Sequence, residues 1–157
     1  MLDGMSEPRW LDAGQQRDWR AFVDGSLRLH DLMDRDLKSK HGLSESEYEI
    51  LVRLSEAPGH SLRMAELADH ASQSRSRLSH TCTRLETKGL VRRESCPNDK
   101  RGVFAHLTDE GFAALERAAR DHVETVRDFF IDVIDPEDLQ AIGRAFRAVN
   151  ERIAEVR

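Results

Sequence analysis

The stretch Ser74–Leu107, SRSRLSHTCTRLETKGLVRRESCPNDKRGVFAHL, limits the fold more than any other part of the chain. A polar helix rich in serine and arginine runs into Gly89. Two short extended segments follow, Leu90–Ser95 and Val103–Leu107, separated by Pro97-Asn98-Asp99-Lys100-Arg101-Gly102, a run with turn chemistry. Ser74 suits the start of the helix because its hydroxyl can accept an orphan amide proton of the first turn, and glycine suits the position just past the end. Leu78, Cys82 and Leu85 fall at i, i+4 and i+7 and predict the stripe that docks on a core. Arg75, Ser76, Ser79, His80 and Thr83 are then left facing outward. The order describes a helix aimed at solvent with a hairpin beside it.

Charge gives that helix a purpose. From Ser72 to Gly102 there are eight basic residues, Arg75, Arg77, Arg84, Lys88, Arg92, Arg93, Lys100 and Arg101, against Glu86, Glu94 and Asp99, a net of +5. The rest of the chain carries 16 basic and 26 acidic residues, a net of −10. One concentrated positive patch on an otherwise acidic protein is the electrostatic footprint of a nucleic-acid contact surface. Short hydrogen-bonding side chains interleaved with arginines also suit close approach to base edges and phosphates.

The surrounding chain reads as helices. Residues 1–14, with Gly4 and Pro8, predict a flexible arm. Trp19, Phe22, Val23, Leu27, His30, Met33 and Leu37 recur at threes and fours along a long helix over 15–40 that Gly42 ends. Ser44 with Glu47 three residues on has capping-box spacing, and Tyr48, Leu51, Val52 and Leu54 supply the buried face of the next helix. Pro58-Gly59 breaks it, Ser61–Arg63 is extended, and Met64–His70 forms a short helix. Thr108 caps a long helix with Phe112, Leu115, Ala119, Val126 and Val133 on one stripe. Asp135-Pro136 starts the last helix, where Leu139, Ile142, Phe146, Val149, Ile153 and Val156 alternate steps of three and four in a heptad-like seam. That seam needs a partner, either another helix of the same chain or a second subunit.

Several classes of function are disfavoured. At 157 residues and 39% apolar content the chain is a single globular domain or one with appended helices. No apolar run approaches the roughly 20 residues of a membrane span, and the first residues lack the pattern of a secretory signal, so a cytoplasmic protein is expected. Cys82 and Cys96 are too few and too far apart for a disulfide framework or a cysteine zinc site. Seven scattered histidines form no local ligand pair, and no nucleophile motif or spaced acid pair suggests an enzyme. No cofactor and no metal are expected.

The run LSESEYEILVRL through LRMAELAD and SRSRLSHTCTRLETKGLVRRESCPNDKRGVFAHLTDEG, roughly Leu43 to Gly111, resembles the MarR family of winged helix-turn-helix transcription regulators. Its most specific pieces are the block Arg84–Val91 and the wing block carrying Asp99, Arg101, Leu107 and Thr108. The resemblance implies a mainly α fold with a small β-hairpin wing, a winged helix-turn-helix plus long N- and C-terminal dimerisation helices. It implies an N-terminal dimerisation helix over 15–42, a DNA-binding domain over 43–108 and C-terminal dimerisation helices over 109–157. The expected partners are a second copy of the chain, a double-stranded operator and a small aromatic or phenolic effector that releases the protein from DNA. A repressor of a pseudo-palindromic operator is the expected role. The family positions near DNA match Arg75, Ser76, Arg77, Ser79 and His80, and the resemblance further implies that Arg101 at the wing tip, beside Lys100, reaches the adjacent minor groove while Asp99 orients the wing.

Each of these residues also has a plainer reading. Arg101, Arg75 and Arg77 are otherwise solvated charges. Cys82 lies on the inward stripe and reads as a core thiol, while Cys96, near Arg92 and Arg93, offers an alternative redox trigger. A metal trigger through dispersed histidines is a further alternative, as is a winged-helix module that binds protein and not DNA. Trp19 and Phe22 read either as packing or as aromatic walls of an effector pocket, the other walls of which have no mark in the sequence.

Overall fold

A computed structural model describes residues 7–96 and 99–156, with the backbone only for residue 96 and residues 99–101. Contacts divide the chain into two compact units, one ending at Leu32 and the other starting at Met33. Helix α1 (Ala13–His41) runs through the division. It begins two residues earlier than its periodicity predicts, because Asp12 and Gln15 exchange a capping pair: the Gln15 amide donates to Asp12 Oδ1 at 2.8 Å and the Asp12 amide to Gln15 Oε1 at 3.1 Å. Of the apolar positions expected on its buried face, only Met33 and Leu37 are buried, and Trp19, Phe22 and Leu27 are exposed.

The second unit holds the core. After α1 come α2 (Glu45–Glu56), a single 3-10 turn at Pro58–His60, β1 (Ser61–Arg63), α3 (Met64–His70) and α4 (Arg75–Thr87). Strands β2 (Val91–Cys96) and β3 (Asp99–Leu107) form the hairpin, and α5 (Asp109–Val126), a π-helical turn at Arg127–Ile131 and α6 (Pro136–Ala154) complete the chain. The sheet is antiparallel in the order β1-β3-β2, with Leu62 opposite Ala105, Arg93 opposite Ala105 and Val91 opposite Leu107. Leu37, Leu43, Ile50, Leu51, Leu54, Leu67, Leu78, Cys82, Leu85, Ala105 and Leu115 pack as one cluster. A winged helix-turn-helix is therefore built on helices α2, α3 and α4 with the hairpin as its wing.

Local chemistry fixes the joints. The capping box at Ser44 forms as the spacing predicts: the Glu47 amide donates to Ser44 Oγ and the Ser44 amide to Glu47 Oε2 at 2.8 Å. Gly89 takes φ +72°, a left-handed conformation that lets the chain leave α4 and enter β2. Thr108 caps α5 and at the same time donates its hydroxyl to Gly89 O at 2.8 Å, which pins the start of α5 to the end of α4.

Two buried faces differ from expectation. On α2 the interior takes Ile50 and Glu47 besides Leu51 and Leu54, with Tyr48 and Val52 at its edge. On α5 the buried positions are Gly111, Leu115, Ala118 and Thr125, so the stripe is rotated from the predicted one and Phe112 and Val123 are exposed. The cause is Gly111. A Cβ there would lie 2.0 Å from Leu90 O, so the helix rests its bare backbone on the chain leaving α4, and the rest of its inner face follows. Helix α6 buries none of its residues. The seam residues Phe146, Val149, Ile153 and Val156 remain 41% to 71% exposed.

Candidate nucleic-acid interface

Helix α4 is divided as its sequence predicts. Leu78, Thr81, Cys82 and Leu85 are buried, and Arg75, Ser76, Arg77, Ser79 and His80 are exposed on the other side of its first two turns. Ser74 caps the helix by accepting from the Arg77 amide at 3.2 Å. The Arg75 and Arg77 guanidinium groups have no hydrogen-bond or ion-pair partner among the described residues. They are available for phosphates or base edges.

Arg84, Lys88, Arg92 and Arg93 behave differently, because each faces a carboxylate of the chain. Arg84 Nε donates to Glu47 Oε1 at 3.3 Å and Lys88 Nζ to Glu47 Oε2 at 2.8 Å. Arg93 pairs with Glu86, its amide donating at 2.9 Å and its Nε at 2.8 Å. Arg92 pairs with Glu94. Four of the eight basic residues thus have carboxylate partners within the chain, and two of them share Glu47, which lies outside the stretch and lowers the net charge of the patch by one. Burial works against the charge on Glu47, but Lys88 and the Ser44 amide outweigh it and hold the carboxyl below the usual range. Glu86 is likewise lowered, chiefly by its hydrogen bond from Arg93.

Arg93 also ties the wing to the helix. Besides Glu86 it donates to Thr83 Oγ1 at 3.0 Å and approaches Ser79 Oγ at 3.5 Å. A cleft of about 340 Å³ opens between α4, the start of α3 and the hairpin, with Arg63, Arg75 and Arg93 around an apolar floor of Met64, Leu78 and Val103. Arg63 sits over the Phe104 ring at 5.2 Å. From sequence, Arg63, Glu47 and Glu86 had no assigned part in this surface. The sole signal for Glu47 was its capping-box spacing, which gives no hint of its cationic partners.

The wing-tip expectations, Asp99, Lys100 and Arg101, and the thiol of Cys96 fall on side chains outside the described residues. The backbone register puts Asp99 opposite Cys96 at the hairpin end, with an irregularity between Ser95 and Cys96. Cys82 is a core thiol, fully buried, and burial pushes its pKa up to about 11. Among the described residues no group of histidines, cysteines and carboxylates is arranged to hold a metal ion, and no helix is long and apolar enough to cross a membrane. Trp19 and Phe22 sit together on α1 with ring centroids 5.6 Å apart, 54% and 42% exposed.

Comparison with known proteins places this geometry. The model of the MarR family matches residues 41–102. Among solved structures, the MarR family regulator Sco3205 from Streptomyces coelicolor, in complex with DNA, is 47% identical with a TM-score of 0.89, covering 94% of this chain and 92% of its own. The transcriptional regulator PecS from Dickeya dadantii is 37% identical over 113 residues, 68% of each chain. The homoprotocatechuate degradative operon repressor of Escherichia coli is 36% identical over 93 residues, 59% of this chain and 62% of the relative.

Proposed function

The chain belongs to the MarR family of DNA-binding transcriptional regulators, and from that premise we propose that it represses transcription as a homodimer on a pseudo-palindromic operator. The N-terminal half of α4 enters the major groove, where Arg75, Ser76, Arg77, Ser79 and His80 meet phosphates and base edges. The wing tip, with Lys100 and Arg101 and with Asp99 orienting the wing, reaches the adjacent minor groove. The observation that carries this reading is the outward face of α4: five exposed polar residues, none acidic, two of them unpaired arginines, on a helix whose other side is core.

The homodimer assignment is supported by α6, whose apolar seam stays largely exposed in the single chain. Segments 15–42 and 109–157 are assigned to dimerisation, and 43–108 to DNA. A second copy would give two reading heads with the two-fold symmetry of a palindrome. The Trp19–Phe22 pair offers aromatic surface to a small aromatic effector, and the operon repressor among the relatives takes its name from the breakdown of an aromatic acid.

Selection of duplexes from a random pool, followed by titration across salt concentrations, tests the reading. It requires a two-fold symmetric consensus and an affinity that falls steeply as salt rises, through release of counterions. A flat salt dependence would instead identify a protein-binding module, and a monomer by sedimentation would overturn the dimer.

A further inference from the structure

Glu47 is one of three buried polar or charged residues of the described chain, 3% exposed, and both of its cationic partners come from α4. Its Oε1 accepts from Arg84 Nε, while its Oε2 accepts from Lys88 Nζ and from the Ser44 amide. Lys88 Nζ reaches past it to Gly42 O at 2.8 Å, so one ammonium holds both the end of α1 and the start of α2. The same corner is fixed from α1 by Asp34 Oδ1, which accepts from the Glu45 amide at 3.0 Å. Asp36 of α1 accepts from Thr125 of α5 at 2.9 Å and His41 Nε2 lies 2.8 Å from Asp121 of α5.

We infer that Glu47 is a positioning residue for DNA reading: its carboxylate holds the C-terminal end of α4 against the α1–α2 corner and so sets the angle at which the other end meets the groove. This rests on α4 being the reading helix, as proposed above. The anchored residues Arg84 and Lys88 lie at one end of α4 and Arg75–His80 at the other. Thirteen residues span about 18 Å, so a pivot of about 5° at the anchored end moves the reading end by about 1.5 Å. That displacement exceeds the tolerance of a hydrogen bond to a base edge. Packing of Leu78, Cys82 and Leu85 resists sliding, but apolar contacts do not fix an angle as a pair of opposed, charge-assisted bonds does. A buried carboxylate with two cations is costly to desolvate, and its best-attested use is to specify one arrangement among several of similar energy.

The test compares Glu47→Gln, Lys88→Gln, Lys88→Arg and Arg75→Ala with the parent protein, using a duplex that the parent selects from a random pool and a scrambled duplex of the same length. Glu47→Gln keeps the capping geometry, and the partners it releases have half-exposed side chains that water can solvate, so the variant folds. Its affinity for the selected duplex is expected to fall tenfold or more while affinity for the scrambled duplex holds or rises, because a negative charge has gone. Lys88→Gln, which leaves Arg84 on the carboxylate, gives a smaller loss in the same ratio, and Lys88→Arg restores it. A purely structural role would lower the melting temperature and leave both affinities unchanged at 25 °C. That outcome, or a selected-duplex affinity within twofold of the parent, overturns the inference. If Arg75→Ala weakens binding and the Glu47 and Lys88 variants do not, the positioning role alone fails. If Arg75→Ala has no effect, α4 is not the reader and both assignments fall together.

Discussion

Arg93 reaches from β2 across to α4 and binds Glu86 twice, through its amide at 2.9 Å and its guanidinium at 2.8 Å. The pair joins wing and helix through side chains that are 27% and 30% exposed. Glu86→Ala removes the acceptor for both bonds, and the loss in unfolding free energy is expected to be about 1 to 2 kcal/mol, the range of a partly exposed charge-assisted pair. It also frees a cation beside the reading face. Binding to scrambled DNA should therefore strengthen, and the slope of log affinity against log salt should steepen by close to one phosphate's worth. Chemical denaturation and a salt titration measure the two effects, and a gain in stability would contradict the pairing.

Arg75→Ala and Arg77→Ala act on the free arginines of α4. If a side chain reads a base, its removal costs about 1 to 3 kcal/mol for the operator and relaxes selectivity at that position; if it holds a phosphate, affinity falls for every sequence alike and the salt slope shrinks by about one. Arg101→Ala is expected to cost about 1 to 3 kcal/mol as well. Unchanged operator affinity in a salt-controlled gel shift would count against each.

Gly111→Ala should be among the most damaging single changes. The added carbon would lie 2.0 Å from Leu90 O, a backbone atom, and 2.8 Å from Leu107 Cδ1, so the backbone itself would have to shift. Overpacking of this kind costs about 3 kcal/mol. Urea unfolding of the variant against the parent gives the number, and a difference below about 0.5 kcal/mol would show that the crossing is looser than this contact implies.

His122 packs on Tyr48 with ring centroids 4.5 Å apart, and burial holds its pKa below the ordinary 6.5 despite the opposing pull of Glu45, Asp36 and Glu49. A depressed histidine favours the folded state fully above pH 6.5, and that advantage shrinks as pH falls below 6.5, where the unfolded chain takes up the proton first. Melting temperature should therefore drop between pH 7.5 and 5.5, and drop less in His122→Gln. His106 is lowered as well, by burial and then by Arg92, so His106→Gln is the matched comparison. Below about pH 4.5 a second loss follows, as Asp34, Asp36, Glu47 and Glu86, all lowered in the folded protein, take up protons. An equal pH response in His122→Gln and the parent would assign the first loss elsewhere.

Cys82, with a pKa near 11, should resist thiol reagents in the native protein and react only on unfolding. Counting labelled cysteines by mass, with and without urea, checks this. Native labelling of Cys82 would mean that α4 leaves its seat far more often than its packing implies.

Much of the fold was legible because it is local. Ser44 and Glu47, Ser74, Gly89 and Thr108 each fix a helix end through atoms within a few residues, and the Leu78, Cys82, Leu85 stripe states which way α4 faces. The electrostatics were less legible, because charge was counted along the chain and neutralised across it. Glu47 stands 37 positions from Arg84 and 41 from Lys88, and no periodicity joins them. The rotated face of α5 escaped for a related reason: a glycine counts as nothing in a hydrophobic pattern, yet Gly111 decides which side of the helix can come close. The α6 stripe and the Trp19, Phe22 and Leu27 part of the α1 stripe were read correctly as apolar and are left exposed in one chain, since a sequence shows what a face is made of and not what meets it.

The internal pairing of Arg84, Lys88, Arg92 and Arg93 bears on time as well as on affinity. A regulator must leave millions of wrong sequences before it finds the right one, and each mobile cation facing the backbone lengthens the stay at a wrong sequence. With four of its cations already facing the chain's own carboxylates, the reading face would hold unmatched DNA more weakly than a bare count of cations implies. Residence would then depend more on the few contacts that fit a particular sequence, and the same carboxylates that brace the wing and the helix would also shorten the search.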